Sequence, residues 1–388
     1  MVITGKFMLA FGIFAAIVLQ EIRAELTVSD EDAWPTKIAV PKLKVREVVQ
    51  LGLADVSDDL PRITESNCDL ECLTDEMNKI VDSNRLYELY SFETMHANGQ
   101  VELTVVDVEK IERRGGDMER SNRSDRKTRK KRQIFGYDTR FEVSDSEYLG
   151  EPPFSVVVKL STGCSGTLIG KRHVLTAAQC VHNGKAYVRA VKKLRVGIRK
   201  VVASDLRFED AEDAQEFKWI KVSEVFIPQG WKKYGASKLN IEHNYAVLKL
   251  KEDYDGDSMD FGVAASTSLH PDRRVHFASY DNPETSELMY RYCPILDNND
   301  DEMYHHCDAE EASVGAGVYI RLWDNKEHQW ARKVIGVFNG HRWIDEGKHG
   351  YATDYNVAVV ITPLKYAQIC LWLQNDNIHC GDIQYSDI

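Results

Sequence analysis

The chain has 388 residues, 43% of them hydrophobic, and a net charge of −12 from 61 acidic against 49 basic residues. That length allows one large domain plus a further segment, and the apolar content suits a packed core. The acidic balance argues against nonspecific nucleic-acid binding, which needs a cationic surface to displace counterions.

Lys6 precedes an apolar run from Phe7 to Leu19 that has the length of a signal-peptide core and is short for a bilayer span. With cleavage after Ala24, residues 1–24 read as a signal peptide and the protein as secreted and extracellular. No comparable run follows, so stable membrane insertion is not expected. Eight cysteines fit an oxidising compartment. They fall as near neighbours: Cys68 with Cys72, Cys164 with Cys180, Cys293 with Cys307 and Cys370 with Cys380. The last three spacings suit local disulfides, whereas the pairing of Cys68 and Cys72 stays open. Cys-x-x-Cys spacing is absent, so zinc is the weaker reading.

Residues 25–132 read as a pro-region. Leu86 to His96 and Val101 to Val108 flank Asn98-Gly99, a strong hairpin signal. Asn122-Arg123-Ser124 is a glycosylation sequon at Asn122. The basic run ends in Arg129-Lys130-Lys131-Arg132, so a furin-like convertase is expected to cut between Arg132 and Gln133. Residues 133–388 then form the main domain.

Short Val-, Ile- and Leu-rich runs recur there: 154–160, 166–169, 173–175, 194–196, 245–250, 318–322, 334–338 and 357–361. Many brief strands with little helical periodicity imply an all-β barrel or sandwich. Thr362 followed by Pro363 caps a terminal helix. The acidic stretches 205–216 and 297–302 are candidate calcium loops, though charged runs are more often plain surface. His305-His306-Cys307-Asp308 has the look of a metal cluster, but Cys307 is better used in a bridge and paired histidines in a polar loop are usually solvated. No metal and no cofactor is assigned. Trp231, Trp323, Trp330, Trp343 and Trp372 are assigned mostly to core packing.

Ser-Thr-Gly-Cys-Ser-Gly-Thr-Leu at 161–168 and Val-Leu-Thr-Ala-Ala-Gln-Cys ending at Cys180 resemble the first-barrel signature of chymotrypsin-type (trypsin-like) serine peptidases. Arg-Gln-Ile-Phe-Gly-Tyr-Asp-Thr-Arg-Phe at 132–141, Gly-Val-Tyr-Ile-Arg at 317–321, Gly-His-Arg-Trp at 340–343 and the stretch 356–370 resemble more closely the secreted serine protease 23 and inactive serine protease 35 group. The resemblance covers about 133–380 and implies a chymotrypsin-like double six-stranded β-barrel with a C-terminal helix. It also puts the catalytic triad at Gln179, Asn244 and Val314.

None of these can do the chemistry. Acyl transfer needs an oxygen nucleophile, an imidazole to shuttle its proton and a carboxylate to orient the imidazole. Val314 offers only methyl groups, and Gln179 and Asn244 carry amides that are neither acidic nor basic near neutral pH. At the oxyanion-hole positions, Ala312 stands where the family has glycine, beside Val314. The family's activation aspartate is Ser313 here, and the new terminus, Gln133, can cyclise and lose its charge. The expected protein is therefore a catalytically inactive homologue that acts by binding a protein partner of unknown identity. The rival is an active endopeptidase using Ser313 in a shifted loop, although a base would be missing; His182 is expected to point to solvent. A third reading makes the pro-region the bioactive part.

Overall fold

The computed structural model describes residues 37–58, 83–108, 135, 137–200, 216–234, 241–264, 273–299, 301–324, 329–344, 353–373 and 383–384. The signal peptide, Cys68, Cys72, Asn122, Arg132, Gln133, most of the acidic stretch 205–216 and Cys380 lie outside the described residues.

Besides the two-residue strands Lys37–Ile38 and Val56–Ser57, the described residues ahead of the main domain form β1 (Leu43–Leu53), β2 (Phe92–His96) and β3 (Gln100–Val108). The first barrel uses β4 (Val157–Leu160), β5 (Ser165–Leu168), β6 (His173–Thr176), β7 (Arg195–Arg199), β8 (Phe217–Pro228) and β9 (Ala246–Leu250). Their order is β7-β4-β5-β6-β9-β8, and pairing of β7 with β8 closes the ring. The second barrel uses β10 (Arg274–Ser279), β11 (Met289–Asn298), β12 (Glu302–His305), β13 (Gly317–Asp324), β14 (Gln329–Ile344) and β15 (Thr353–Val360). It runs β10-β13-β14-β15-β12-β11 and closes through β10 and β11. All these barrel pairings are antiparallel, giving two closed six-stranded barrels.

Inward-facing aliphatics such as Val158, Val174, Val196, Val247, Val275 and Val337 are buried and fill one continuous core. The terminal helix α3 (Pro363–Trp372) follows α1 (Ser83–Tyr90) and α2 (Gln229–Tyr234). Thr362 accepts a hydrogen bond from the Lys365 N–H, so the predicted cap is present. The hairpin turns at Gly99, whose φ of 85° suits glycine. Its first arm is shorter than the sequence indicates, because Leu86, Leu89 and Tyr90 follow helical spacing and belong to α1.

The strands of the expected pro-region are not a separate unit. β8 is much longer than its barrel neighbour β7, which pairs only with Phe217 to Lys221. The remaining edge, Glu224 to Pro228, pairs with β2, and β3 and β1 extend the same sheet. Exposed backbone groups on β8 are thereby satisfied. Phe92 packs edge-on against Phe226 and Trp372, at 6.3 and 5.7 Å between centroids. Glu93, buried, accepts from Lys232, from Gln229 Nε2 (3.2 Å) and from Tyr187 OH (3.3 Å). Gln368 Nε2 donates to the Tyr90 carbonyl at 2.6 Å.

A cut within 109–134 should therefore leave two pieces that travel together in size-exclusion chromatography and part only in denaturant. Phe92→Ala, at roughly 3–5 kcal/mol for a buried phenylalanine, should weaken that association. Separate elution of the native cut protein would contradict the packing described.

Candidate functional site

β6 runs into a single 3₁₀ turn, Ala178–Cys180, which the Cys164–Cys180 disulfide ties to the start of β5. The turn presents Gln179. Asn244, fully buried, lies between the turn Ile241–His243 and β9. The Gln179 backbone N–H donates to Asn244 Oδ1 at 2.9 Å, and Asn244 Nδ2 donates back to Gln179 Oε1 at 2.9 Å. Gln179 Nε2 donates to the Asn339 carbonyl at 3.3 Å. An amide has both donors and acceptors, so two neutral groups close on each other and on the backbone. No charge is stored there and no titrating proton is held.

Asn339 sits in a bulge of β14 against β15, between Phe338 and Gly340. Gly340 has φ +105°, and a Cβ built on it would lie 3.7 Å from Val314 Cγ2. Val314 thus reaches the same place from the second barrel, through the bulge whose carbonyl holds Gln179. The three positions assigned by the resemblance come together at the seam between barrels.

The loop carrying Val314 is wound into a 3₁₀ turn, Glu311–Ser313. Within it the Ser313 N–H bonds Glu310 O (3.0 Å), the Val314 N–H bonds Glu311 O (3.3 Å) and the Ala316 N–H bonds Ser313 O (3.1 Å). An oxyanion hole needs N–H groups aimed outward at the reacting oxygen. At Val314 that donor is turned back onto its own chain, while Ala312 O accepts from Ser165 Oγ at 3.0 Å.

Gly315 has φ +93°, and a Cβ there would lie 2.2 Å from Thr176 Oγ1 and 2.3 Å from Ser165 O. The loop is pressed onto β5 and β6 as only glycine allows. Gly315→Ala should cost several kcal/mol, about 1–3 for backbone strain and a similar amount for overpacking. A clear fall in thermal midpoint is the expected readout.

Ser313, one residue from Val314, is fully buried and donates from Oγ to Asp281 Oδ1 at 2.8 Å. Asp281 also accepts from Ser279 Oγ (2.5 Å), from Arg291 and from Arg140 Nη1 (2.7 Å). Arg291 is 0% exposed and stacks over Phe277. Burial lowers its pKa while the Asp281 carboxylate opposes that shift. Asp138 and Asp281 together hold Arg140 firmly charged. This cluster of Arg140, Asp281, Arg291 and Ser313 escaped the sequence reading. Its one visible signal is an arginine, Arg291, at an inward position of an otherwise alternating strand.

His182 does not point to solvent. It is buried, its Nδ1 accepts from the Gly184 N–H at 3.0 Å, and its ring packs edge-on to Tyr187 at 4.8 Å. Burial, with the Lys232 charge, lowers its pKa to about 3. His305 is likewise buried rather than solvated, and His306 stacks on Phe135 at 4.1 Å. Asp308, also buried, accepts from the Phe135 N–H (2.6 Å) and from Thr139 N–H and Oγ1 (2.8 and 2.7 Å). Cys293, His305 and Cys307 cluster within 4.8 Å, but both sulfurs form a disulfide. Cys370 is also disulfide-bonded.

In the second acidic stretch, Asp301 bonds Lys365 at 2.7 Å and Glu302 bonds Arg342 at 2.7 Å, so both carboxylates have protein partners. Trp231 and Trp372 are core residues as expected, whereas Trp330 is half exposed. The side chains of Trp323 and Trp343 lie outside the described residues.

A family model described as Trypsin matches residues 143–325. Serine protease 23 of Homo sapiens is 38% identical over 356 residues, covering 90% of this chain and 92% of that protein. Serine protease 23 of Mus musculus is 37% identical over 385 residues, covering 96% and 98%. Inactive serine protease 35 of Homo sapiens is 35% identical over 387 residues, covering 88% and 92%.

Proposed function

Because the chain belongs to the serine protease 23 and inactive serine protease 35 group of the trypsin family, we propose that it is a secreted member without peptidase activity, acting by binding another protein. The observation that carries this reading is the closed amide pair of Gln179 and Asn244, at 2.9 Å, beside a valine. A serine peptidase moves one proton from nucleophile to base and returns it to the leaving group. Neither amide titrates in the working range, and valine has no proton to give or lone pair to attack with.

The names of the relatives divide, since one group is called a serine protease and the other inactive. For this chain the side chains support the inactive reading. Ser313, the remaining hydroxyl, donates into the carboxylate of Asp281 and is sealed from solvent. Convertase cutting after Arg132 belongs to the same proposal. Asp308 already holds the N–H groups of Phe135 and Thr139 in the uncut chain, so those contacts do not need the new terminus.

A fluorophosphonate probe applied to the purified, convertase-cut protein tests the proposal. No adduct is expected by mass spectrometry. An adduct on Ser313 would overturn it, and recovery of the protein from cells but never from their medium would overturn its extracellular part.

A further inference from the structure

The outer face of the second barrel carries a row of arginines that the fold does not explain. In β13 and β14, Arg321 and Arg332 are direct cross-strand partners. In β10 and β13, His276 pairs with Tyr319, and Arg274 and Arg321 lie two residues along from that pair on the same face. The neighbouring residues of opposite parity, Val275, Phe277, Ile320 and Leu322, are buried in the core, so the arginines lie on the outer face, where His276 and Tyr319 are covered by ring contacts with each other and with Tyr290 and Tyr292. Three arginines therefore fall in line across three adjacent strands, whose backbones lie roughly 5 Å apart.

Like charges placed opposite each other in a sheet are destabilising. Among the described residues no carboxylate forms a salt bridge with Arg274, Arg321 or Arg332. The charge is local, since the whole chain carries −12. Its field is felt by His276, whose pKa falls to about 4 through burial and then the charges of Arg321, Arg274 and Arg332.

Aromatic rings frame the row. Arg274 lies over Tyr292 at 5.5 Å, and Arg321 over Trp330 at 4.8 Å. Tyr292 is 43% exposed and Trp330 50%. A guanidinium laid on a ring keeps its N–H edge free for a planar, bidentate anion contact. Tyr292 also stacks on Phe141 at 6.4 Å, so the partly exposed rings at both ends add apolar aromatic surface beside the arginines, of the kind that packs on the C–H groups of a sugar.

We propose that this face, formed by Arg274, Arg321 and Arg332 with Tyr292 and Trp330, is a binding site for an extended sulfated polysaccharide. Repeating sulfates complement the arginine row, and the rings favour a sugar chain over an acidic peptide. The site is independent of the seam that holds Gln179, Asn244 and Val314.

The full chain on immobilised heparin, fully desulfated heparin and polyglutamate tests it. Retention through physiological salt is expected on the sulfated resin alone. Arg274→Ser, Arg321→Ser and Arg332→Ser combined should weaken binding at least tenfold and flatten the salt dependence by about two to three charges. Thermal unfolding should be unchanged or slightly improved, which shows that the variant folds. Lys192→Ser with Lys193→Ser, on the first barrel, should bind as the parent does. Failure to bind, equal retention on polyglutamate, or an equal loss in the lysine variant would each overturn the assignment.

Discussion

A chain carrying Gln179→His, Asn244→Asp and Val314→Ser together is expected to gain measurable peptide hydrolysis that none of the three single changes produces. The reason is mechanistic unity: base, orienting carboxylate and nucleophile act in series, so restoring one leaves the proton path broken. The frame is ready for it, because Gln179 and Asn244 already contact at 2.9 Å across the turn and the start of β9. Turnover should nonetheless stay about 10²–10³ below that of a trypsin-type enzyme on the same substrate, the usual effect of losing one oxyanion donor. That donor, the Val314 N–H, is bonded to Glu311 O within the 3₁₀ turn. Activity in the Val314→Ser variant alone would show that another group serves as base.

Asp281→Ala should be the most damaging change outside the core. It leaves Arg291, with no exposed side-chain surface, without its carboxylate, while Arg140 loses one carboxylate and keeps Asp138. Breaking a buried pair from one side costs about 3–5 kcal/mol, because the remaining charge has lost its compensation. For a chain of this size that is a fall of roughly 10 °C in thermal midpoint. Ser313→Ala removes one hydrogen bond to the same carboxylate and should cost only about 1 kcal/mol. The ordering matters for function, since a structural Ser313 changes stability while a nucleophilic one would change turnover. Equal stability of Asp281→Ala and the parent would remove the physical basis for calling Ser313 sealed.

Much of the frame was legible because it depends on local signals. The spacing of Cys164 to Cys180 and of Cys293 to Cys307 foretold two bridges, and Thr362-Pro363 foretold the start of α3. Non-local effects were not legible. β1 is broken by register shifts near Val45 and Gln50, which interrupt its two-residue alternation. β11 hides because its inward positions include Arg291 while Tyr292 faces out, the reverse of the usual pattern. The attachment of β2 to β8 depends on the unequal lengths of β7 and β8, which a linear reading does not compare. At the seam, the residue types were readable, but the direction of the Ser313 hydroxyl was not, because its partner Asp281 lies 32 residues away.

On the proposed reading, the seam keeps the geometry of a peptidase while lacking any group that can carry the proton or attack the carbonyl. That reading is tested most directly by incubating the purified, convertase-cut protein with a diverse fluorogenic peptide library, alongside its Ser313→Ala variant. Cleavage no faster than the buffer blank, for both proteins, is the predicted result. Cleavage by the parent that disappears in the Ser313→Ala variant would contradict it.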